Sequence, residues 1–286
     1  MVGCAIKRSE RFRDTKVPPT FFAIRNPTTN RLPFRYPTPV RIFVVLPAYN
    51  EEQALPHLLD SLIENLSDER RDYSIIVVND GSSDRTGEVV DSYGTRHSII
   101  ALHNESNKGL AETMRRGLLE AVNRAGPKDI IVTMDADNTQ PAGLALRMIR
   151  SIREGNDVVI ASRYREGSQI RGVPFHRRLL SRAASWLFRI FFPIRGVRDY
   201  TCGYRAYRAD ITKSLIERYG PEFISERGFS CMIDILLRLR ERDVVFAEVP
   251  LVLRYDLKPG RTKMQVLETI FDTLRLLVRR RLNLSK

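Results

Sequence analysis

The chain has 286 residues, 43% of them hydrophobic, and a formal net charge of +13, enough for one large core or two small ones. Its three cysteines, Cys4, Cys202 and Cys231, are odd in number and far apart, which excludes a disulfide framework or a zinc knuckle and fits a reducing, cytosolic setting. No run approaches the roughly 18 apolar residues of a spanning helix, and no apolar signal core opens the chain. The positive excess is concentrated: residues 1–40, 161–200 and 258–286 carry +6, +7 and +6, leaving about −6 elsewhere. Such a pattern predicts a phosphate-rich partner: nucleic acid, an anionic membrane surface or phosphorylated substrates.

Residues 1–40 hold six prolines and no sustained period, and read as an extended arm. From residue 41 the pattern becomes regular. Apolar runs at 41–50, 73–84, 98–104, 129–137 and 157–164 predict five strands. The segments 51–66, 84–96, 109–126 and 142–155 carry helical spacing. Strands that are continuously apolar and alternate with helices predict a parallel sheet covered on both faces. Ligands bind such sheets at the carboxyl ends of the strands. Polar clusters fall there: Tyr49-Asn50-Glu51, Asn79-Asp80-Gly81, Asn107-Lys108-Gly109, Asp135-Ala136-Asp137 and Arg163.

After residue 165 the spacing predicts a helix over 177–194, a turn into strand or loop over 199–211, a helix over 228–243 and a strand over 244–255. An amphipathic helix over 262–284 places Val266, Ile270, Leu274, Leu277 and Val278 on one face and ends in Arg279-Arg280-Arg281. The 179–194 segment mixes Trp186, Phe188, Phe191 and Phe192 with arginines, a composition suited to a helix lying in a membrane interface.

Asp135 and Asp137 stand one residue apart, so at a strand tip their side chains point the same way. Two such carboxylates call for a cation between them. Mg²⁺ or Mn²⁺ suits hard oxygen ligands with few protein contacts. Glu51 and Asp80, acids at the first two strand ends, can accept hydrogen bonds from ribose hydroxyls or base N–H groups.

The strings VVLPAYNEE, VVNDGSSDRT, NKGLAETMRRGL, MDAD, SRYREGS, DYTCGYRAY and EVPLVLRYDLKPGRTKM occur in the order seen in family 2 glycosyltransferases. The chain most resembles the branch that glycosylates dolichyl or polyprenyl phosphate, over about residues 41–265. The resemblance implies an α/β, GT-A (Rossmann-like) domain over 41–260, with C-terminal amphipathic helices and a basic helix over 261–286. It implies an inverting enzyme that moves a sugar, mannose or glucose, from a GDP- or UDP-linked donor to a polyprenyl or dolichyl phosphate. In similar enzymes a metal held by the aspartates stabilises the departing pyrophosphate.

The resemblance also assigns residues. Pro47, Tyr49, Val78 and Ala136 line the nucleotide pocket; Lys108, from its own place before Gly109, is also expected to approach it. Arg163, Arg177, Ser181, Arg254 and Lys263 match positions that bind phosphate groups. Asp199 lies near the reacting centre, either as a base or as an orienter of an arginine such as Arg205. An acceptor phosphate, with a second pKa of about 6, needs little help from a base. Some relatives carry a glutamine as third metal ligand two residues after the second aspartate. Here Thr139 stands there, with Gln140 next, so the third ligand stays open.

The expected setting is peripheral, at the cytoplasmic face of a membrane, with a membrane-anchoring partner or a homo-oligomer as further options. Two alternatives compete with this reading. A transferase for a soluble or glycan acceptor would not need the arginines of the second half. A nucleic-acid-binding protein would not place aspartates at its strand ends, and no nucleic-acid motif occurs.

Overall fold

The computed structural model describes residues 40–67, 72–228, 230–258, 275, 276 and 278. The expected N-terminal arm, Lys263 and most of the C-terminal helix lie outside the described residues. The first half alternates as its periodicity predicts. The strands are β1 (Ile42–Ala48), β2 (Tyr73–Asn79), β3 (Ile99–His103), β4 (Ile130–Thr133) and β5 (Val158–Ser162). The helices between them are α1 (Leu55–Ser67), α2 (Thr86–Gly94), α3 (Leu110–Arg124) and α4 (Leu144–Arg153).

The second half is more varied. It contains β6 (Gln169–Arg171), α5 (Phe175–Phe191), β7 (Arg205–Arg208), α6 (Ala209–Tyr219), α7 (Ser230–Arg240), β8 (Phe246–Pro250) and β9 (Val252–Arg254). Single 3₁₀ turns follow at Gly220–Phe223 and Tyr255–Leu257.

Seven strands form one sheet in the order β3-β2-β1-β4-β7-β5-β8. All neighbours are parallel except β7, which runs antiparallel between β4 and β5. The strands β1, β2, β4 and β5 are almost wholly buried, as strands with helices on both faces must be. Helix α3 lies close on the sheet because of Gly117: a Cβ there would stand 2.4 Å from Val45 Cγ1.

Three departures from the sequence reading bear on function. Strand β4 stops at Thr133, so Asp135 and Asp137 lie in the turn beyond it and not on the strand itself. The segment read as one strand over 244–255 is two, because after Pro250 the chain leaves the sheet and β9 pairs in parallel with β6. In the C-terminal segment Leu276 is buried in the core, while Val278, expected on the inward face, is half-exposed. Among the described residues no helix is long and apolar enough to cross a membrane.

Candidate active site

A cavity of about 650 Å³ opens beyond the carboxyl ends of β1, β2, β4 and β5. Its lining combines three chemistries. Tyr49, Glu51, Asp80, Asp135 and Asp137 come from the ends of β1, β2 and β4. Arg163, Arg177 and Lys258 add positive charge. Ile170, Val173, Leu180, Leu187 and Leu253, from β6, α5 and β9 and the segment between β6 and α5, are apolar.

The acidic part of the lining is built by two loops that brace each other. After β1, the N–H groups of Asn50 and Glu51 donate to Ser82 Oγ (2.9 Å) and Thr86 Oγ1 (2.8 Å). In return Ser83 N–H donates to Asn50 Oδ1 (2.8 Å). Gly81 makes the turn possible. Its φ is +62°, and a Cβ would stand 2.4 Å from the Ser106 carbonyl carbon, so no other residue fits. Asp80, nearly buried, accepts from Asn104 Nδ2 (2.7 Å) and from the N–H groups of Lys108 and Gly109 (both 2.9 Å). Its carboxylate therefore fixes the loop that enters α3.

Asp135 and Asp137 both face the cavity. Thr139 closes the turn, donating from Oγ1 to Asp137 Oδ1 at 2.7 Å. Gln140 Nε2 donates to Asp135 Oδ2 at 2.7 Å. Burial first, and then the charge of Asp137, push the Asp135 carboxyl up to about 7. Lys258 supplies a counter-charge, its Nζ lying 2.6 Å from Asp137 Oδ2. Burial opposes the lysine's charge, yet Asp137 holds its pKa above the ordinary range.

This donor set fits a divalent cation. Two oxygen-donor carboxylates share a wall, and their mutual repulsion calls for positive charge. Among the described residues no third carboxylate, histidine or cysteine joins them, which suits an ion that completes its shell with water and substrate phosphate. Gln140 and Thr139 are turned onto the aspartates themselves.

Asp199 is fully buried and does not line the cavity. It lies beneath Arg163 and grips it: Nε donates to Oδ2 (2.8 Å), a terminal nitrogen to Oδ1 (2.7 Å) and the backbone N–H to Oδ2 (3.0 Å). The N–H groups of Thr201 and Cys202 donate to Oδ1 at 3.2 and 3.1 Å. Burial alone would raise this carboxyl, but Arg163 and these N–H groups hold it below the usual carboxylate range. A carboxylate so held is a poor proton acceptor. The arginine it orients is Arg163, not Arg205. Arg205 is buried elsewhere and donates to the carbonyls of Met232 (2.6 Å) and Tyr200 (2.8 Å).

Helix α5 presents three faces. Arg177, Leu180, Ser181, Ala184 and Leu187 turn to the cavity. Ser185 and Phe188 are buried. Phe175, Leu179, Trp186 and Ile190, at helical spacing, are each more than half exposed. Arg177 lies over the Tyr255 ring (5.4 Å) and donates to its hydroxyl (3.2 Å). Ser181 Oγ accepts from Tyr164 (3.1 Å).

The cavity thus brings together Pro47, Tyr49, Glu51, Asp80, Asp135, Ala136, Asp137, Arg163, Arg177 and Ser181. It does not bring in Val78, Lys108 or Arg254. Val78 faces the other side of its strand, toward Gly117 of α3. Lys108 contributes its backbone N–H to Asp80 while its side chain is exposed and away from the cavity wall. Arg254 turns its guanidinium to Asp256, at 2.9 Å. Lys258, Tyr255 and Thr201 were not anticipated. Lys258 reaches Asp137, while Lys263 lies outside the described residues.

The sheet order and the acidic strand-end cavity define a GT-A glycosyltransferase fold. The chain belongs to glycosyl transferase family 2, whose profile matches residues 43–216. It is 31% identical to a dolichol-phosphate mannosyltransferase of Pyrococcus furiosus over 84% of this chain, and spans 63% of that protein's length. It is 28% identical to a polyprenol monophosphomannose synthase of Mycolicibacterium smegmatis, over 86% of this chain and 90% of that one. A solved structure of glucosyl-3-phosphoglycerate synthase from Mycobacterium tuberculosis, in complex with Mn²⁺, UDP and phosphoglyceric acid, shares the fold. Its TM-score is 0.59 at 21% identity, over 85% of this chain and 78% of that one.

Proposed function

We propose that this chain transfers a sugar, mannose or glucose, from a GDP- or UDP-linked donor to a polyprenyl or dolichyl phosphate, with inversion at the anomeric carbon. The observation that carries this reading is one cavity lined by strand-end acids, by guanidinium groups and by the apolar residues of β6, α5 and β9. A nucleotide, two sets of phosphates and an isoprenoid chain would need that combination of environments. The likeness to lipid-phosphate mannosyltransferases supports it.

In this reading Glu51 and Asp80 hold the nucleoside end, lined by Pro47, Tyr49 and Ala136. Asp135 and Asp137 hold Mg²⁺ or Mn²⁺, which when bound offsets the charge of the pyrophosphate leaving group. Lys258, freed from Asp137, reaches phosphate instead. Arg163 and Arg177, with Ser181, bind the acceptor phosphate as bidentate or hydroxyl donors and bring it against the repulsion of the donor. Asp199 is a positioning residue: it keeps the Arg163 fork aimed. The acceptor arrives largely ionised, so in-line attack needs no base from the protein.

The lipid end lies along α5 between Leu180, Leu187 and Leu253. The outer apolar face of α5 rests on the membrane surface, at its cytoplasmic side. Residues 41–260 form the catalytic domain. The segments before and after it add membrane or partner contacts, and Lys263 adds a phosphate contact.

A donor panel tests this. Purified protein is mixed with GDP-mannose, UDP-glucose or UDP-N-acetylglucosamine and a short polyprenyl phosphate, with Mg²⁺, Mn²⁺ or EDTA. Metal-dependent formation of one lipid-phosphate sugar, lost in Asp135→Ala, supports the reading. Donor hydrolysis or transfer to a soluble acceptor, with no lipid product, refutes the lipid-phosphate acceptor.

A further inference from the structure

Behind Asp199 the chain turns through residues 193–198 and closes a second cavity, of about 320 Å³, that shares no lining residue with the first. Three arginines line it: Arg165 beyond β5, Arg189 in the last turn of α5 and Arg198 just before Asp199. Ile194, Gly196 and Tyr200 form its floor. Among the described residues none of the three guanidinium groups has a carboxylate partner. The Asp199 carboxylate is taken by Arg163, and Glu248, which meets the loop from β8, has its Oε1 taken by the backbone N–H groups of Arg198 (2.6 Å) and Asp199 (2.7 Å). A fourth arginine, Arg240, lies behind the loop and donates to the Pro193 carbonyl at 3.1 Å.

The floor is rigid. The Tyr200 hydroxyl donates to the Phe192 carbonyl (2.9 Å) and accepts from Ile194 N–H (3.1 Å). Gly196 has φ +87°, and a Cβ there would stand 2.5 Å from the Phe246 carbonyl oxygen. The loop is therefore pressed onto β8 and holds its shape without a ligand. The three arginines are exposed at the rim of this preformed hollow, where an anion with several oxygens can engage more than one of them. Guanidinium forks match phosphate oxygens two at a time.

We propose that this pocket binds a phosphoryl group, at a site separate from the catalytic cavity. Arg189 sits on α5 between the exposed side chains of Trp186 and Ile190. The phosphoryl group is thus carried either by an anionic lipid headgroup beside that apolar face or by a free phosphate. The cavity has the volume for either, at the small end of ligand pockets. It stands apart from the sugar-transfer reading and survives if that reading fails.

The test uses the full chain and two double variants. Arg189→Ala/Arg198→Ala removes two of the pocket's arginines. Arg147→Ala/Arg150→Ala removes the same charge from the exposed side of α4. Two probes are titrated: vesicles of phosphatidylglycerol in phosphatidylcholine, by sedimentation, and inorganic phosphate, by calorimetry. The pocket variant is expected to weaken binding of one probe about tenfold or more, at about a factor of five per arginine, while the α4 variant stays within about twofold of the unmodified protein. A loss on vesicles alone identifies a lipid headgroup; a loss on inorganic phosphate identifies a free phosphate. Equal behaviour of the two variants with both probes overturns the proposal. If the pocket variant does not fold, Arg189→Gln, a single change at an exposed residue, must show a loss in the same direction.

Discussion

The two halves of the sheet deliver residues to the cavity in different ways. From β1 to β5, a side chain reaches it from the turn just past a strand, and its support comes from the same turn or from the loop at a neighbouring strand end. Asp80 is held by N–H groups 28 and 29 residues on, the Glu51 N–H donates to Thr86 35 residues on, and the aspartate turn is closed from within by Thr139 and Gln140. Beyond residue 163 the supports reach further along the chain. Arg163 depends on Asp199, 36 residues away, Arg177 on Tyr255, 78 away, and Lys258 on Asp137, 121 away. Bonds between adjacent strand-end loops make the first half of the site a property of neighbouring turns. The second half exists only when distant segments have packed, so its disruption should cost the fold as well as the chemistry.

The sharpest way to break this contrast is Arg163→Ala, which strands the buried Asp199 carboxylate. Removing one partner of such a pair costs about 3–5 kcal/mol, read as a lower urea midpoint, and activity should vanish with it. The pH dependence has a definite sign. Asp199 is held below its unfolded value, so its contribution is present above about pH 4 and is lost as pH falls through the folded value. Without Arg163, burial alone raises this carboxyl, so the variant takes up a proton above about pH 4 and the stability gap between the two proteins should narrow as pH falls from 7 to 3. A gap that is constant from pH 7 to pH 3 would refute the pairing.

In the first half the expected loss is of chemistry alone. Asp135→Ala should lower turnover by about 10²–10³, and EDTA should do the same to the unmodified protein. The urea midpoint should stay near or above its original value, because a repelling charge is gone. Gly81→Ala tests the turn: strain at a left-handed position, against the Ser106 backbone, should cost roughly 1–3 kcal/mol and weaken donor binding.

Lys258→Ala ties the halves together. Without the competing ammonium, Mn²⁺ should bind about fivefold more tightly, the worth of an ion pair of about 1 kcal/mol, while turnover falls. Calorimetry with Mn²⁺ checks it, and weaker Mn²⁺ binding would mean that the lysine assists the metal. The smallest effect is expected at Lys108→Ala. Only its backbone N–H engages Asp80, so stability should move by less than about 0.5 kcal/mol and donor affinity not at all.

Much of this was legible in the order of residues. The alternation of apolar runs and helical spacing gave β1 to β5 and α1 to α4, and polar residues at the strand ends marked the cavity. What was hidden had physical causes. Period-two alternation does not say which face of β2 meets the helix, and Val78 went to the core. A charged residue draws attention to its side chain, but at Lys108 the working atom is the amide. Arg254 has an aspartate two residues on that captures it. Strand β7 inserts antiparallel between strands remote in sequence, and no local period reports that. The contact of Lys258 with Asp137 spans 121 residues, and no local pattern reports it.

The two described cysteines offer something of practical use. Burial pushes the thiols of Cys202 and Cys231 up to about 12, so neither reacts while its surroundings stay closed. Cys202 sits in the loop whose N–H groups clasp Asp199, whereas Cys231 lies in α7, buried along nearly its whole length. In a Cys4→Ser background each thiol is a clock. Labelling of Cys202 would time the local opening of the Asp199 loop, and labelling of Cys231 would time the opening of the core.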